Sequence, residues 1–282
     1  MNQIYAVVVI YNQNISESLT CSQLMEIRNH NIRIIIVDNS TEETSNENEC
    51  RRRQWIYISM NGNAGLSKAY NKVLNFLDLE EDATIVWLDD DSNITQEYFD
   101  VLESNLNANK EYSIFVPVIQ GQDGKYWSPN EYHFIKNRQL KSPEQRIKPT
   151  RFNAINSCTA VRTTVYRNYR YNENLFLDQI DHNFFEDQRN RMIKCKKMNV
   201  IIQHNFSTRS KQNIISLKRR YKTMIPDFLT FHRKSILRYY LAWIKIFGWG
   251  CRGFLSCRDI SFIGWCVKQI YFYERKRKSN GL

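Results

Sequence analysis

Runs of apolar residues recur at regular intervals along the first half of the chain, and polar, turn-forming segments separate them. Five such runs are predicted to form strands: residues 4–10, 32–37, 55–59, 83–88 and 113–118. Their apolar positions are nearly continuous instead of alternating, as expected for strands that are covered on both faces. The pattern therefore predicts a buried sheet of largely parallel strands.

Segments with helical spacing lie between these strands. Residues 16–28 and 66–77 have an apolar face, and residues 94–108 are predicted to form a helix that begins near Thr95. Residues 41–53 lack such a face and are predicted to be a loop or a short exposed helix. Strands that alternate with helices of this length are typical of a doubly wound α/β sheet with right-handed crossovers.

The pattern is less regular after residue 120. Residues 121–149 are polar and contain prolines, which predicts a loop or a hairpin. Residues 152–161 are predicted to form a strand, residues 184–197 a helix and residues 200–204 a short strand. We therefore expect one α/β domain over residues 1–205.

The last part of the chain is aromatic and basic. Residues 236–247 and 254–272 are apolar, but charged residues interrupt them before either reaches the length of about 20 that a spanning helix needs. Residues 206–282 hold 17 basic and 3 acidic side chains. A basic, aromatic helical region of this kind predicts peripheral contact with an anionic membrane. A helical subdomain that packs on the core and exposes its basic face explains the pattern equally well.

Charge divides the chain into two halves. Residues 1–130 hold 9 basic and 19 acidic side chains, whereas residues 131–282 hold 31 and 10, so the chain has a net charge of +11. This asymmetry predicts an anionic partner for the second half, such as a phosphate-bearing substrate or a membrane surface. Nucleic acid is a poor candidate, because the first half is acidic and no nucleic-acid-binding motif occurs.

The seven cysteines are scattered, without a CxxC pair or a Cys/His spacing that fits zinc. The N-terminus enters directly on a strand-like run with no leader-like segment ahead of it. Both features predict a reducing, cytoplasmic compartment. If the basic tail binds lipid, we expect the protein at the inner face of the cell membrane.

Three consecutive aspartates, Asp89, Asp90 and Asp91, follow the predicted strand 83–88. Carboxylates at the carboxyl end of a buried strand are well placed to hold a divalent cation. Because neighbouring carboxylates repel one another, such a cluster is most stable beside a cation or several hydrogen-bond donors. The alternative is a solvated turn that caps the next helix.

Four segments of the chain, three of them at strand ends, occur in an order that resembles glycosyltransferase family 2. They are Ala6–Asn12, Ile36–Ser40, Asn61–Asn71 and Leu88–Ser92. The similarity covers about residues 4–205 and is greatest to bacterial rhamnosyl- and galactofuranosyltransferases. It implies a GT-A fold, with a nucleotide-sugar half over residues 1–120 and an acceptor half over residues 121–205.

The resemblance also implies the residues of a donor site. Asp38 would accept hydrogen bonds from the nucleobase or ribose, and the helix N-terminus after Asn63 would favour an anion. Asp91 would ligate Mn²⁺ or Mg²⁺, with His204 as a possible further ligand. The residues expected to bind the nucleotide sugar are Tyr11, Asn12, Asp38, Asn63, Gly65, Ser67, Asp89 and Asp90.

Asp181 is the residue that the resemblance selects as general base, with Asp178 and Asp187 as alternatives. The chain departs from the family pattern here, because Asn183 and Asp187 stand where relatives carry a glutamate and an arginine. The departures leave all three aspartates as candidates for the base and leave the reaction class unchanged.

The function implied is inverting transfer of rhamnose, galactofuranose or another hexose from a UDP- or dTDP-sugar. The acceptor would be a glycan or a polyprenyl-diphosphate-linked oligosaccharide, as in the assembly of surface polysaccharide. A non-catalytic GT-A-like binding module that is tethered to the membrane is the alternative.

Overall fold

The computed structural model describes residues 3–28, 31–134, 137–204 and 214–279. These residues form two compact units. The first unit holds the described residues up to Tyr171 and those from Asp181 to His204, and the second holds residues 172–180 and the described residues from 214 onwards. The domain boundary expected near residue 205 stays a prediction, since compact units are not by themselves independent domains.

The first unit is built on a mixed sheet of ten strands within the described ranges. The strands are β1 Gln3–Ile10, β2 Ile32–Asp38, β3 Ile56–Ser59, β4 Ala83–Asp89, β5 Ile114–Gly121, β6 Tyr126–Glu131, β7 Arg138–Leu140, β8 Phe152–Asn153, β9 Thr159–Arg162 and β10 Cys195–His204. Their order in the sheet is β3-β2-β1-β4-β9-β5-β6-β7, with β10 beside β5 and β8 beside β6. Strands β3, β2, β1 and β4 are parallel, β9 runs antiparallel to β4 and β5, and β10 is parallel to β5.

Helices flank the first strands, as the alternating pattern predicts. Tyr98, Phe99 and Leu102 of the fourth helix are buried in one cluster with residues of β1 and β4. Each such side chain stabilises the fold by about 1.5–3 kcal/mol, and the packing fixes the carboxyl ends of both strands. The helices are α1 Leu19–Leu24, α2 Asn46–Arg53, α3 Leu66–Phe76, α4 Gln96–Ala108 and α5 Ile180–Asn190.

Several predicted elements differ from the structure. The helix expected over residues 16–28 is shorter in the structure, where α1 follows one 3₁₀ turn. It begins after Ser18, because the Ser18 side chain caps it by accepting from the Cys21 amide at 3.2 Å. The strand expected over residues 152–161 is split into β8 and β9 by a turn that ends at Cys158, whose φ is 58°. Both differences arise from local turns that apolar periodicity does not reveal.

The helix expected over residues 184–197 was placed too late in the chain. Helix α5 begins at Ile180 and ends at Asn190, and residues 195–197 belong to β10. The helix ends where Met192 takes a left-handed conformation with a φ of 56°. As a result Asp181 lies in the first turn of α5 instead of ahead of it.

The second unit contains three helices among its described residues, α6 Ile214–His232, α7 Ile236–Cys257 and α8 Ser261–Ser279. The predicted tail helices, 236–247 and 254–272, differ from α7 and α8 because the turn falls at Arg258, with a φ of 55°. Gly253 lets α8 approach α7 closely, since a Cβ there would collide with the Phe262 ring. Within the described ranges, no helix has the length and hydropathy required to cross a bilayer.

Candidate functional site

Two carboxylates and an imidazole meet at the carboxyl edge of the sheet. Asp89 ends β4, Asp91 lies in the turn that follows, and His204 ends β10. One ligand atom from each residue lies within 4.8 Å of the others, and His204 Nε2 is 3.9 Å from Asp91 Oδ1. Carboxylate oxygens with one imidazole nitrogen suit Mn²⁺ and, with fewer protein ligands, Mg²⁺. The residues present therefore fit the predicted metal.

The structure places Asp89 beside Asp91 and His204, whereas the family resemblance implied that it binds the nucleotide sugar. Burial raises the pKa of Asp89; the charge on His204 opposes that rise and the charge on Asp91 adds to it. Burial, together with the negative charges of Asp91 and Asp89, raises the pKa of Asp90 to about 6. Such a cluster holds excess negative charge that a bound cation would neutralise.

Side chains near the start of α1 hold the aspartate turn in place. The Ser18 hydroxyl donates to the Asp90 carbonyl at 2.7 Å, and the Thr20 hydroxyl donates to the Asp89 carbonyl at 2.6 Å. The Ser92 amide in turn donates to Thr20 Oγ1 at 2.8 Å. Sequence reasoning missed both supports, because they join residues about 70 positions apart.

Asp38 ends β2 and is only 4% exposed. Its carboxylate accepts from the Ser40 amide at 3.0 Å, from Asn46 Nδ2 at 2.9 Å and from the Thr44 hydroxyl at 2.8 Å. Burial alone would raise its pKa, but these hydrogen bonds outweigh burial and leave the pKa below its ordinary value. Asp38 is therefore a fixed, ionised acceptor.

A cavity of about 540 Å³ opens beside Asp38. A volume of this size suits a nucleoside. None of its described lining residues is basic, so the lining itself supplies no cation for a diphosphate. The lining residues are Asp38, Ser40, Thr41, Glu42, Glu43, Thr44, Glu47, Tyr57, Ser59, Asn61 and Gly62.

Asn12 connects the end of β1 to the rim of this cavity. Its amide donates to Ser40 Oγ at 2.8 Å, and its Oδ1 accepts from the Thr41 amide at 2.8 Å. Tyr11, the other residue predicted at this strand end, is 50% exposed. Asn12 therefore shapes the cavity wall, while the Tyr11 side chain stands in solvent.

The predicted segment Asn63–Ser67 forms the start of α3. Gly65 has φ and ψ of 91° and 159°, a conformation open essentially only to glycine. Asn63 Oδ1 accepts from the Gly65 amide at 3.2 Å and from Asn39 Nδ2 at 3.1 Å, which ties the segment to the end of β2. Ser67 is buried, and its hydroxyl has no hydrogen-bond partner among the described residues.

Asp181 is half-buried in the first turn of α5. Burial raises the pKa of Tyr70 well above its ordinary value, and the negative charges of Asp89 and Asp181 raise it further. The role of Asp181 as general base stays a prediction.

The two alternative bases are held by other side chains. In the second unit, both carboxylate oxygens of Asp178 pair with the guanidinium of Arg220. In the first unit, Asp187 accepts from Asn183 Nδ2 at 2.6 Å and from the Tyr169 hydroxyl at 3.3 Å. These contacts reduce the freedom of both carboxylates to accept a proton from an acceptor.

Asp227 of α6 holds the segment that contains Asp178. It is 2% exposed, and its carboxylate accepts from the backbone amides of residues 176, 177 and 178 at 2.9, 2.8 and 2.7 Å. Burial raises its pKa, and these backbone bonds offset only part of that rise. Sequence reasoning missed Asp227, since nothing local distinguishes it from an exposed helical aspartate.

The family comparison covers most of the sheet, from β1 to β9. The family model described as Glycosyl transferase family 2 matches residues 5–170, more than half of the 282-residue chain. The chain belongs to glycosyltransferase family 2. The match includes Asp38 and the aspartate triplet and ends before Asp181 and His204. The family match therefore does not bear on Asp181 and His204 of this family 2 chain, and any role for them is inferred from their positions in the structure.

One curated relative is the dTDP-rhamnosyl transferase RfbF of Shigella flexneri, which is 27% identical over 192 residues. The match spans 64% of this chain and 61% of that relative's length, so the family 2 chain corresponds to less than two thirds of it.

Two solved structures resemble the family 2 chain in fold. One is the mannosyltransferase PcManGT from Pyrobaculum calidifontis in complex with GDP-Man and Mn²⁺, with a TM-score of 0.54, 11% identity, and coverage of 98% of this chain and 86% of that one. The other is glucosyl-3-phosphoglycerate synthase from Mycobacterium tuberculosis in complex with Mn²⁺, UDP and phosphoglyceric acid, with a TM-score of 0.52, 12% identity, and coverage of 80% and 78%. The predicted GT-A fold is confirmed.

Proposed function

We propose that this protein is an inverting glycosyltransferase that moves a sugar from a nucleoside-diphosphate donor to a glycan or lipid-linked oligosaccharide. The observation that carries the proposal is the Asp89, Asp91 and His204 group at one sheet edge of a family 2 chain. The cavity beside the ionised Asp38 supplies a place for the nucleoside at the carboxyl end of the neighbouring strands.

The metal proposed for this site is Mn²⁺ or Mg²⁺. Asp91 and His204 would hold it, and the position of Asp89 makes it a third candidate ligand. When bound, such an ion neutralises the charge that builds on a departing nucleoside diphosphate. Asp90, with its raised pKa, remains assigned to the donor sugar or ribose.

The remaining residues bind and orient the two substrates. Asp38 accepts from the nucleoside, with Asn12 shaping the wall of its cavity and Tyr11 at its border. The amides at the start of α3, from Asn63 through Gly65 and Ser67, favour an anionic part of the donor. Asp181 takes the proton of the acceptor hydroxyl, and one carboxylate suffices for inversion because attack and departure occur on opposite faces.

The proposed donor is a dTDP- or UDP-sugar, with dTDP-rhamnose first because of the curated relative. The proposed acceptor is linked to a polyprenyl diphosphate during surface-polysaccharide assembly at the cytoplasmic face of the membrane. Helix α7 supports this location, because it exposes a row of apolar side chains beside basic ones. The row contains Ile236, Leu237, Tyr240, Ile244 and Phe247.

A donor screen tests the proposal. Purified protein is incubated with dTDP-rhamnose, UDP-galactofuranose, UDP-galactose or UDP-glucose and a lipid-linked oligosaccharide extract, with Mn²⁺ or with EDTA. We expect release of nucleoside diphosphate from one donor, in Mn²⁺ only. Binding of a nucleotide without turnover of any donor would favour the non-catalytic module, and no binding at all would contradict both functions.

A further inference from the structure

The second unit contains a cavity of its own, with a volume of about 510 Å³. It lies between α6, the start of the link to α7, α8 and the segment that begins at residue 172. Apart from Pro226 its described lining residues are polar or basic, and none of them is acidic. The lining residues are Asn172, Asn174, Pro226, Thr230, Arg233, Lys234, Tyr273, Lys276 and Arg277.

Four cations from two chain segments converge on this space. Arg233 and Lys234 follow the carboxyl end of α6, and Lys276 and Arg277 lie in the last turns of α8. Two acidic residues are adjacent to lining residues in the sequence: Glu173, which lies between Asn172 and Asn174, and Glu274, which pairs with Arg277 at 2.9 Å. Positive charge therefore exceeds negative charge around the cavity, and an anion with several oxygens would balance it.

Neutral donors complete the lining. The hydroxyls of Thr230 and Tyr273 lie 3.2 Å apart, and the amides of Asn172 and Asn174 add donors that carry no charge. Arginine forks and lysine ammonium groups bind phosphate oxygens well. The cavity is larger than one phosphate requires, so it suits a diphosphate ester.

Apolar side chains begin next to these cations. Ile236 lies two residues after Lys234 and is 80% exposed, and Leu237 and Tyr240 continue the exposed row along α7. A ligand with a charged head and a hydrocarbon chain matches this order of groups. A free diphosphate would make no use of the apolar row.

We propose that the cavity between α6 and α8 binds the diphosphate of an isoprenoid lipid, whose hydrocarbon chain lies along the start of α7. This inference rests on the proposed acceptor class and assigns it a site. The site requires no metal, because the basic side chains of the lining supply an excess of positive charge.

The test measures binding to the full-length protein in EDTA, so that a metal-bridged diphosphate in the first unit does not contribute. Farnesyl diphosphate, inorganic diphosphate and farnesol are titrated by calorimetry. We expect farnesyl diphosphate to bind at least about tenfold more tightly than either of the others, since it alone engages both the cations and the apolar row. Equal affinity for inorganic diphosphate would overturn the lipid assignment.

Two variants locate the binding. Lys276→Glu reverses a cavity charge and should weaken farnesyl diphosphate binding at least about tenfold. Arg275→Glu makes the same change at the adjacent exposed position of α8, outside the lining, and should change it less than about twofold. Equal losses of affinity in the two variants would overturn the site, because they would show that the lipid is attracted only by the net positive charge of the protein. This binding test does not depend on turnover of a sugar donor. It therefore gives a clear result even if the proposed glycosyltransferase activity is wrong.

Discussion

The two cavities of this protein are similar in volume and opposite in charge. The cavity of the first unit, about 540 Å³, is lined by Asp38 and three glutamates without a basic residue among those described. The cavity of the second unit, about 510 Å³, is lined by four cations, without an acidic residue among its described lining residues. The first cavity is proposed to hold the nucleoside of a donor whose diphosphate charge a metal ion at Asp89, Asp91 and His204 would balance. The second is proposed to hold a diphosphate whose charge is balanced by side chains.

The two regions also differ in how their charges are held. Asp38 is buried and receives several protein donors, whereas the cations of the second cavity sit at helix ends near solvent. A fixed acceptor selects among nucleosides by geometry, and flexible cations attract phosphate without such selection. Substitutions in the first unit should therefore affect specificity and turnover, and those in the second should affect affinity.

Asp181→Asn should produce the largest effect. Loss of the proposed general base should lower kcat about 10²–10⁴-fold, with little change in donor binding, since the proposed role of this carboxylate is toward the acceptor. Steady-state kinetics with calorimetry of the donor separates the two quantities.

Asp187→Asn is the matched control for that prediction, since its carboxylate is held by Asn183 and Tyr169. We expect it to retain turnover within about tenfold, because only a hydrogen bond is weakened. A larger loss in Asp187→Asn than in Asp181→Asn would transfer the role of base to Asp187.

Gly65→Ala should destabilise the first unit by about 1–3 kcal/mol, because alanine cannot adopt the backbone conformation of Gly65 without strain. Urea unfolding measures the loss. Gly248→Ala in α7 is the opposite control: its Cβ would meet open space in a helix, so stability should rise by about 0.5–1 kcal/mol. A neutral Gly65→Ala would mean that the start of α3 is not fixed as described.

Asp38→Asn should produce a smaller effect that depends on pH. Because the folded pKa of Asp38 lies below its unfolded value, its carboxylate stabilises the protein above the unfolded pKa of about 3.9, and this stability is lost as pH falls through the folded value. The melting temperature of the variant should thus fall less than that of wild type between pH 5 and pH 3. Asp100→Asn, at an exposed position of α4, should follow the wild type.

The sequence was sufficient to predict the elements that depend on local pattern. The apolar runs of β1 and β4 are long and uninterrupted, so they identify the centre of the sheet and place Asp89 to Asp91 at its edge. The start of α3 could likewise be predicted from the sequence, because Gly65 follows an asparagine-rich turn.

Other parts of the site depend on contacts between distant residues and could not be predicted. Asp227 holds a backbone segment about 50 residues earlier, and Thr20 holds a turn about 70 residues later. The approach of His204 to Asp89 arises from the parallel pairing of β10 with β5, which periodicity does not reveal. For the same reason the sequence could not show which aspartate lies beside the histidine.

Calorimetric titration of UDP and dTDP into the protein, in Mn²⁺ and in EDTA, tests the metal-dependent donor site proposed for the first unit. We predict that at least one nucleotide binds in Mn²⁺, that EDTA abolishes the binding, and that Asp91→Asn weakens it at least about tenfold. In EDTA, Asp91→Asn should bind farnesyl diphosphate with the same affinity as the wild type. Binding of neither nucleotide in Mn²⁺, or binding that neither EDTA nor Asp91→Asn reduces, would contradict the proposed site.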